Sequence, residues 1–262
     1  MKIVTWNVNS IRSRQDRLLA WLSAHQPDVL CLQELKVDDG GFPLAAIEAA
    51  GYQALYHGQK TYNGVAVLTK QPAELVAKGL GDDDEDVQAR LIDVKTAGVR
   101  VISVYVPNGS EVGSDKYAYK QRWLQRLGQY LVRHCDATQP LAVCGDFNIA
   151  PTERDVRNPT AWADSVLCDP PVRQAWQDLI GWGLHDAFRH AEPGPGFYSW
   201  WDYRNLGFVR NDGLRIDHVL VTAPLLGRVR SARIDRQERK GDKPSDHAPV
   251  IVELDWPAGA PL

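Results

Sequence analysis

The chain of 262 residues is short of the features that mark membrane, secreted and nucleotide-binding proteins. No run approaches the ~20 apolar residues that a bilayer crossing requires, and the first residues enter a strand pattern with no charged leader or cleavable apolar stretch. The four cysteines, Cys31, Cys135, Cys144 and Cys168, show no C-x-x-C spacing, and two sit in apolar runs where a reduced, buried thiol is expected. A cytoplasmic, disulfide-free protein is the expectation. Neither G-x-x-x-x-G-K-[ST] nor G-x-G-x-x-G occurs, which argues against nucleoside triphosphates and nicotinamide cofactors. A G-x-S-x-G nucleophile motif is missing as well. Thirty Lys plus Arg against 33 Asp plus Glu leave a net charge of -3, so no global positive field points to a nucleic-acid partner. With no linker, repeat or low-complexity tract, one domain over residues 1–257 and a short tail, 258–262, are expected.

What is present is a mixed α and β pattern. Short β-branched runs at Lys2 to Val8, Val29 to Gln33, Val65 to Thr69, Arg90 to Val94, Val99 to Val106, Leu141 to Gly145, Arg215 to Val221 and Val250 to Leu254 read as mostly buried strands. Amphipathic helices are expected from about Arg14 to His25, from about Lys116 to Arg133, and around Val172 to Ile180. Asn63-Gly64 is a two-residue hairpin signal between Tyr52 to Gly58 and Val65 to Thr69, so part of the sheet should be antiparallel. The acidic run Asp82 to Asp86 lacks calcium-loop spacing and reads as a solvated loop. Arg204 to Lys243 holds ten basic and five acidic residues, a local excess of +5 that makes it a candidate contact face.

The informative feature is where polar residues fall. Apolar strands end in Asn7, in Gln33 and Glu34, in Tyr105, and in Asp146 with Asn148, while Asp217 and Asp246-His247 stand inside or just before others. Each has a bland reading alone: Asn7 as a helix cap, Glu34 as a partner of Lys36 or Arg90, Asp146 and Asn148 as an Asx turn. Buried charge costs several kcal/mol unless paired or metal-bound. Taken together, the set is best satisfied by converging on one polar site. Carboxylates and amides without thiolates are hard oxygen donors that favour Mg²⁺ or Mn²⁺ over zinc. An acid-bound metal, a further carboxylate and a histidine suit phosphoester hydrolysis by activated water.

The strings I-V-T-W-N-V-N, L-C-L-Q-E-L-K, Y-V-P-N-G, G-D-F-N, G-L-R-I-D and S-D-H-A-P, in this order over nearly the whole chain, resemble the exonuclease III branch of the endonuclease/exonuclease/phosphatase superfamily. Y-S-W-W-D-Y-R resembles the members that repair abasic sites in DNA. The resemblance implies an α/β fold of α+β type, a four-layer α/β/β/α sandwich of two mixed sheets packed face to face. It implies a metal site of Asn7, Glu34, Asp146, Asn148, Asp246 and His247, with Asn7 and Glu34 touching the ion or standing behind its ligands, Glu34 the principal ligand, and Asp246 close enough to serve a second or shifted metal position. By the same resemblance Asp146 prepares the water, Asn148 orients it or holds the phosphate, and His247 meets a phosphate oxygen. Asp217 fixes the imidazole and Tyr105 touches the phosphate or leaving group.

Trp200, Leu214 and Ile216 would line a slot for a sugar without its base, whereas Trp201 reads as core. Asn108, Lys116, Asn158 and Arg204 would contact the backbone of double-stranded DNA carrying abasic sites or 3′ ends, through phosphates rather than sequence. A monomer is expected. Two departures stand out: Gln88-Ala89-Arg90 replaces the E-G-R or R-R tract usual in relatives, and the loop Asn108 to Asp115 is individual. The competing readings are a same-fold phosphatase of inositol phosphates or phospholipids, and a non-catalytic nucleic-acid-binding regulator.

Overall fold

The computed structural model describes residues 1–82 and 86–257. The tail 258–262 and the centre of the acidic run, Asp83 to Glu85, lie outside the described residues. The strands, in chain order, are β1 (Lys2–Asn7), β2 (Val29–Gln33), β3 (Gln53–His57), β4 (Val65–Thr69), β5 (Ala73–Lys78), β6 (Leu91–Thr96), β7 (Val99–Tyr105), β8 (Leu141–Asp146), β9 (Leu184–Asp186), β10 (Asp217–Thr222), β11 (Val229–Ile234) and β12 (Val250–Leu254). Helices include α1 (Gln15–His25), α2 (Leu44–Ala49), α3 (Asp115–His134), α4 (Pro159–Trp162) and α5 (Pro170–Trp182).

Two six-stranded mixed sheets form, in the orders β11-β12-β1-β2-β4-β3 and β5-β6-β7-β8-β10-β9. Each has one parallel pair at its centre, β1 with β2 and β7 with β8, and antiparallel pairs elsewhere. The central strands are apolar on both faces because both faces are covered. Ile3, Cys31, Val67, Ala142 and Cys144 fill the space between the sheets. The alternate residues Val4, Leu30, Leu32 and Leu68 pack beneath α1 with Leu18 and Leu22. On the other outer face Leu141 and Val143 pack with Trp123 and Leu127 of α3 and Trp176 of α5. The result is the expected helix, sheet, sheet, helix stack.

Several local expectations are corrected. β3 and β4 do pair antiparallel, but His57 faces Val65, so residues 58–64 form a seven-residue loop rather than a two-residue turn. Asn63 and Gly64 do adopt positive φ, +54° and +89°, and use it to turn their carbonyls toward the backbone N–H groups of Lys36 and Leu35. The strand expected at Arg215 begins only at Asp217, because Arg215 N–H goes to the Asp155 carbonyl and Ile216 N–H to Ser199 Oγ. Of the acidic run, Asp82 and Asp86 are not simply solvated: both hold Arg126 of α3, at 2.6 Å and 2.9 Å. In the basic window, Arg215 is fully buried between Asp155 and Asp186 and Arg239 is buried against the Ser245 and Trp201 carbonyls, so these two face inward. Strands β5, β9 and β11 had no counterpart among the expected runs.

Gly145 shows how tightly the second sheet closes beside the site. A Cβ there would lie 1.9 Å from the Val104 carbonyl oxygen, so no side chain fits one residue before Asp146.

Candidate active site

The C-terminal ends of the two parallel pairs lie at the same edge of the sandwich. Register places Asn7 beside Gln33, Tyr105 beside Asp146, and Asp217 across from Asp146 on the other side. The loops that follow β2 and β8 then turn sharply. Glu34 and Asn148 have φ of +53° and +50°, and Asn9 and Lys36 have +45° and +57°. For non-glycine residues such backbone costs about 1–3 kcal/mol each and persists where surrounding contacts fix it, commonly at functional sites.

The side chains converge. Asn7 Nδ2 donates to Glu34 Oε1 at 2.8 Å and to Asp146 Oδ2 at 3.0 Å. Its Oδ1 accepts from Asn9 N–H, so Asn7 offers the two carboxylates a donor and does not cap a helix. Asp146 Oδ1 accepts from Asn148 N–H at 2.9 Å. His247 Nδ1 donates to Asp217 Oδ2 at 2.8 Å, and its Nε2 lies 3.7 Å from Asp146 Oδ2. That gap is too long for a direct hydrogen bond, leaving Nε2–H available to a third group. Ser245 Oγ donates to the Asn7 carbonyl and receives His247 N–H, which ties the histidine loop to β1.

Electrostatics follow from this burial. Burial raises Asp146, and the neighbouring Asp217 and Glu34 charges add to it, while His247 opposes; the carboxyl reaches about 7. Burial works against the His247 imidazolium, but Asp217 and Asp146 outweigh it and raise the ring to about 10. Burial, with Glu34 and Asp146 nearby, pushes the Tyr105 phenol well above its ordinary value, so it stays protonated as a donor. Arg90 lies over the Tyr105 ring at 4.8 Å and donates to its carbonyl, which gives the departing Gln88-Ala89-Arg90 tract a place at the site.

One oxygen of Glu34, one of Asp146 and a His247 nitrogen lie within 4.8 Å of one another. The two carboxylates suit a hard divalent cation, and the protonated imidazole stands beside them as a donor. Asp246 lines the cleft beside this group. Its Oδ1 accepts from Asn9 Nδ2 and its Oδ2 from Trp200 Nε1, both at 2.9 Å. Asn7 thus stands as a hydrogen-bonding residue behind the two carboxylates, and Asp246 reaches the same cleft with one hydrogen bond accepted by each oxygen.

The cleft beside these groups is about 380 Å³ and is lined by Glu34, Tyr105, Asn108, Asp146, Asn148, Trp162, Trp200, Arg204, Ile216 and His247, among others. A larger groove of about 700 Å³ between α3 and α5 carries no converging acids and histidine. Leu214 is corrected: it is fully buried in the core beneath the site and does not line the cleft. Ile216 does reach the cleft, as does Trp200, which stacks edge-on against Trp162 at 5.6 Å. Trp201 is core, as expected. Asn108 Nδ2 donates to Asn148 Oδ1 at 3.0 Å. Arg204 is paired with Asp202 at 2.7 Å at the rim, while Lys116 and Asn158 are exposed and lie outside the lining.

Sequence reasoning missed Asn9, Trp162 and Lys120, while Lys36 does pair with Glu34, one of the partners considered for that carboxylate. Lys36 Nζ bridges Glu34 Oε2 at 2.9 Å and Asn9 Oδ1 at 2.6 Å. Lys120 is fully buried on α3, and burial drops its pKa to about 7 despite the opposing charge of Asp146. Its signal was present: a cation three residues before Trp123 and seven before Leu127, on the stripe that had to be apolar.

A four-layer sandwich whose parallel strand ends gather two carboxylates and an Asp-backed histidine is the frame of a metal-assisted phosphoesterase. The chain belongs to the Endonuclease/Exonuclease/phosphatase family, whose model matches residues 4–247. It is 40% identical over 266 residues to Exodeoxyribonuclease III of Haemophilus influenzae, covering 97% of this chain and 100% of that one. Among solved structures it is similar to an AP endonuclease from Archaeoglobus fulgidus, with TM-score 0.94, 39% identity and coverage of 97% and 99% of the two chains. It is also similar to a 3′-5′ exonuclease from Neisseria meningitidis, with TM-score 0.93, 42% identity and coverage of 98% and 100%.

Proposed function

We propose that this chain is a Mg²⁺- or Mn²⁺-dependent DNA repair phosphodiesterase of the exonuclease III type. It hydrolyses the phosphodiester 5′ to abasic sites and trims or unblocks 3′ ends in duplex DNA. Relatives named as exodeoxyribonucleases and AP endonucleases, and a Neisseria 3′ phosphatase structure bound to a product DNA hairpin, support a DNA substrate. The observation that carries the reading is the grouping of Glu34, Asp146 and His247 beside the Asp217 carboxylate.

Glu34 and Asp146 would hold the cation, which would supply Lewis acidity toward a phosphate oxygen. Asp146, once ionised, takes the proton of the attacking water, and Asn7 and Asn148 N–H hold its two oxygens in place. His247, kept protonated by Asp217, donates from Nε2 to the phosphate as charge develops. Tyr105 adds a neutral O–H donor at the same wall, and Asn108 and Asn148 present amides to the scissile group. Trp200, Trp162 and Ile216 give the cleft an apolar wall that admits a baseless sugar more readily than an intact nucleotide.

A gel assay with Mg²⁺ and three duplexes, carrying an abasic analogue, a recessed 3′ hydroxyl or a 3′ phosphate, tests the reading. Cleavage of the abasic strand and shortening or unblocking of the 3′ ends are expected. Turnover of a phosphoinositide with all three duplexes intact would replace it with the phosphatase reading; duplex binding without any turnover would favour the regulator.

A further inference from the structure

We infer that Lys120 is a positioning residue: its ammonium clamps together three chain segments that wall the catalytic cleft and so fixes Asn148 for the reaction proposed above, on which this inference rests. Nζ donates to the carbonyl oxygens of Asn108 at 3.1 Å, Asn148 at 2.6 Å and Val166 at 2.8 Å. An ammonium has three protons, and all three are used. The three acceptors come from the loop after β7, the loop after β8 and the turn before α5, and all three residues line the cleft.

The lysine is placed where its charge is costly. It is fully buried on the stripe that continues as Trp123 and Leu127, and its three hydrogen bonds go to carbonyls rather than to a carboxylate. A side chain that served only to fill this space would do so better without a charge to desolvate. What an apolar residue cannot do is satisfy three converging carbonyls at loop turns, where no strand or helix partner exists. The stem is gripped too: Gly109, at φ +97°, lies so close that a Cβ there would be 3.1 Å from Lys120 Cδ and 3.5 Å from Val166 Cβ. Asn148 has positive φ and needs external contacts to hold it, and the clamp supplies one at its own carbonyl while Asn108 Nδ2 holds its side chain.

The test is Lys120→Met, with Lys120→Gln in its place should the methionine variant not fold, compared with Asn148→Ala and the double variant. Three readouts are taken: kcat and KM for Mg²⁺-dependent cleavage of an abasic duplex, and hydrogen exchange resolved by segment. A loss of about 10- to 100-fold in kcat with KM within about threefold is expected, the scale of a misplaced catalytic group. Exchange should quicken together in residues 106–110, 147–150 and 165–167 while β7 and β8 stay protected. The double variant should be no slower than Asn148→Ala alone, since both act through one group. Unchanged kcat, additive losses in the double variant, or quickened exchange throughout β7 and β8 would overturn the inference. A wild-type protein that cleaves no duplex would instead remove the nuclease reading, with the exchange comparison still reporting on the clamp.

Discussion

His247 Nδ1 and Asp217 Oδ2 meet at 2.8 Å in a place that water does not reach, and the second oxygen of Asp217 has no hydrogen-bond partner. The carboxylate is thus committed to one task, holding the imidazole protonated with Nε2–H aimed into the cleft. The group's pKa is raised, so its useful form is present below about 10 and lost as pH climbs through that value. Asp146 is also raised, so its basic form appears as pH rises through about 7, or lower once a cation sits beside it. A bell-shaped kcat profile follows. In Asp217→Asn the high-pH limb should move down by at least one unit and kcat should fall about 10²- to 10⁴-fold; an unmoved limb would show that Asp217 does not control His247.

Trp200 meets both the apolar wall and Asp246, through Trp162 and through its own Nε1. Trp200→Ala should lower kcat/KM on an abasic duplex by roughly 10-fold or more, the scale of one apolar pocket contact. Trimming of an ordinary 3′ end should change less. Equal losses on both substrates would mean that the tryptophan supports the fold rather than selecting the sugar.

How much of this was legible in the sequence depends on the range of the interaction. The central strands were readable because both their faces are buried, which makes them short apolar runs, and the polar residues that interrupt them at Asn7, Glu34, Asp146 and Asp217 marked one edge of the sandwich. β5 was not, because its residues are half exposed and carry Glu74 and Lys78. The Asn63-Gly64 pair had the right local conformation but was recruited by Leu35 and Lys36, a contact that local chemistry does not contain. Asp246 reaches the same cleft as His247, and its hydrogen bonds to Asn9 and Trp200 join segments that are far apart in sequence. Leu214, bridged to both Val156 and Trp200, is fully buried beneath the cleft, a placement set by partners distant in sequence.

His218 makes a separate prediction about stability. Its Nδ1 lies 2.9 Å from Arg215 Nη1 and its Nε2 2.8 Å from the Ile149 carbonyl. Since a guanidinium only donates, Nδ1 accepts and Nε2 carries the proton, which makes the ring neutral. Burial and the Arg215 charge depress its pKa to about 3. The unfolded histidine takes a proton below about 6.5, and the folded one does not until about 3, so stability should fall as pH drops across that window, by up to about 1.4 kcal/mol per unit. Urea denaturation of wild type and His218→Gln between pH 7 and 4 checks this; identical slopes in the two proteins would exclude His218 as the cause.

The proposed recognition of the DNA backbone by scattered cations, Arg204 at the rim among them, predicts electrostatic binding that does not read sequence. Affinity for an abasic duplex should fall at least about 10-fold between 50 and 200 mM salt and vary little with flanking sequence. Fluorescence anisotropy at several salt concentrations measures it, and a flat salt response would require a different mode of contact.

The most direct measurement is Mg²⁺ titration of strand cleavage on a duplex with one abasic analogue, run on wild type, Glu34→Gln and Asp146→Asn. Wild type should be silent in EDTA and recover with Mg²⁺, Glu34→Gln should need markedly more Mg²⁺, and Asp146→Asn should lose about 10²- to 10⁴-fold in rate while still binding the duplex. Cleavage that survives EDTA, or near-normal rates in both variants, would contradict the assignment of these carboxylates to one cation and its water.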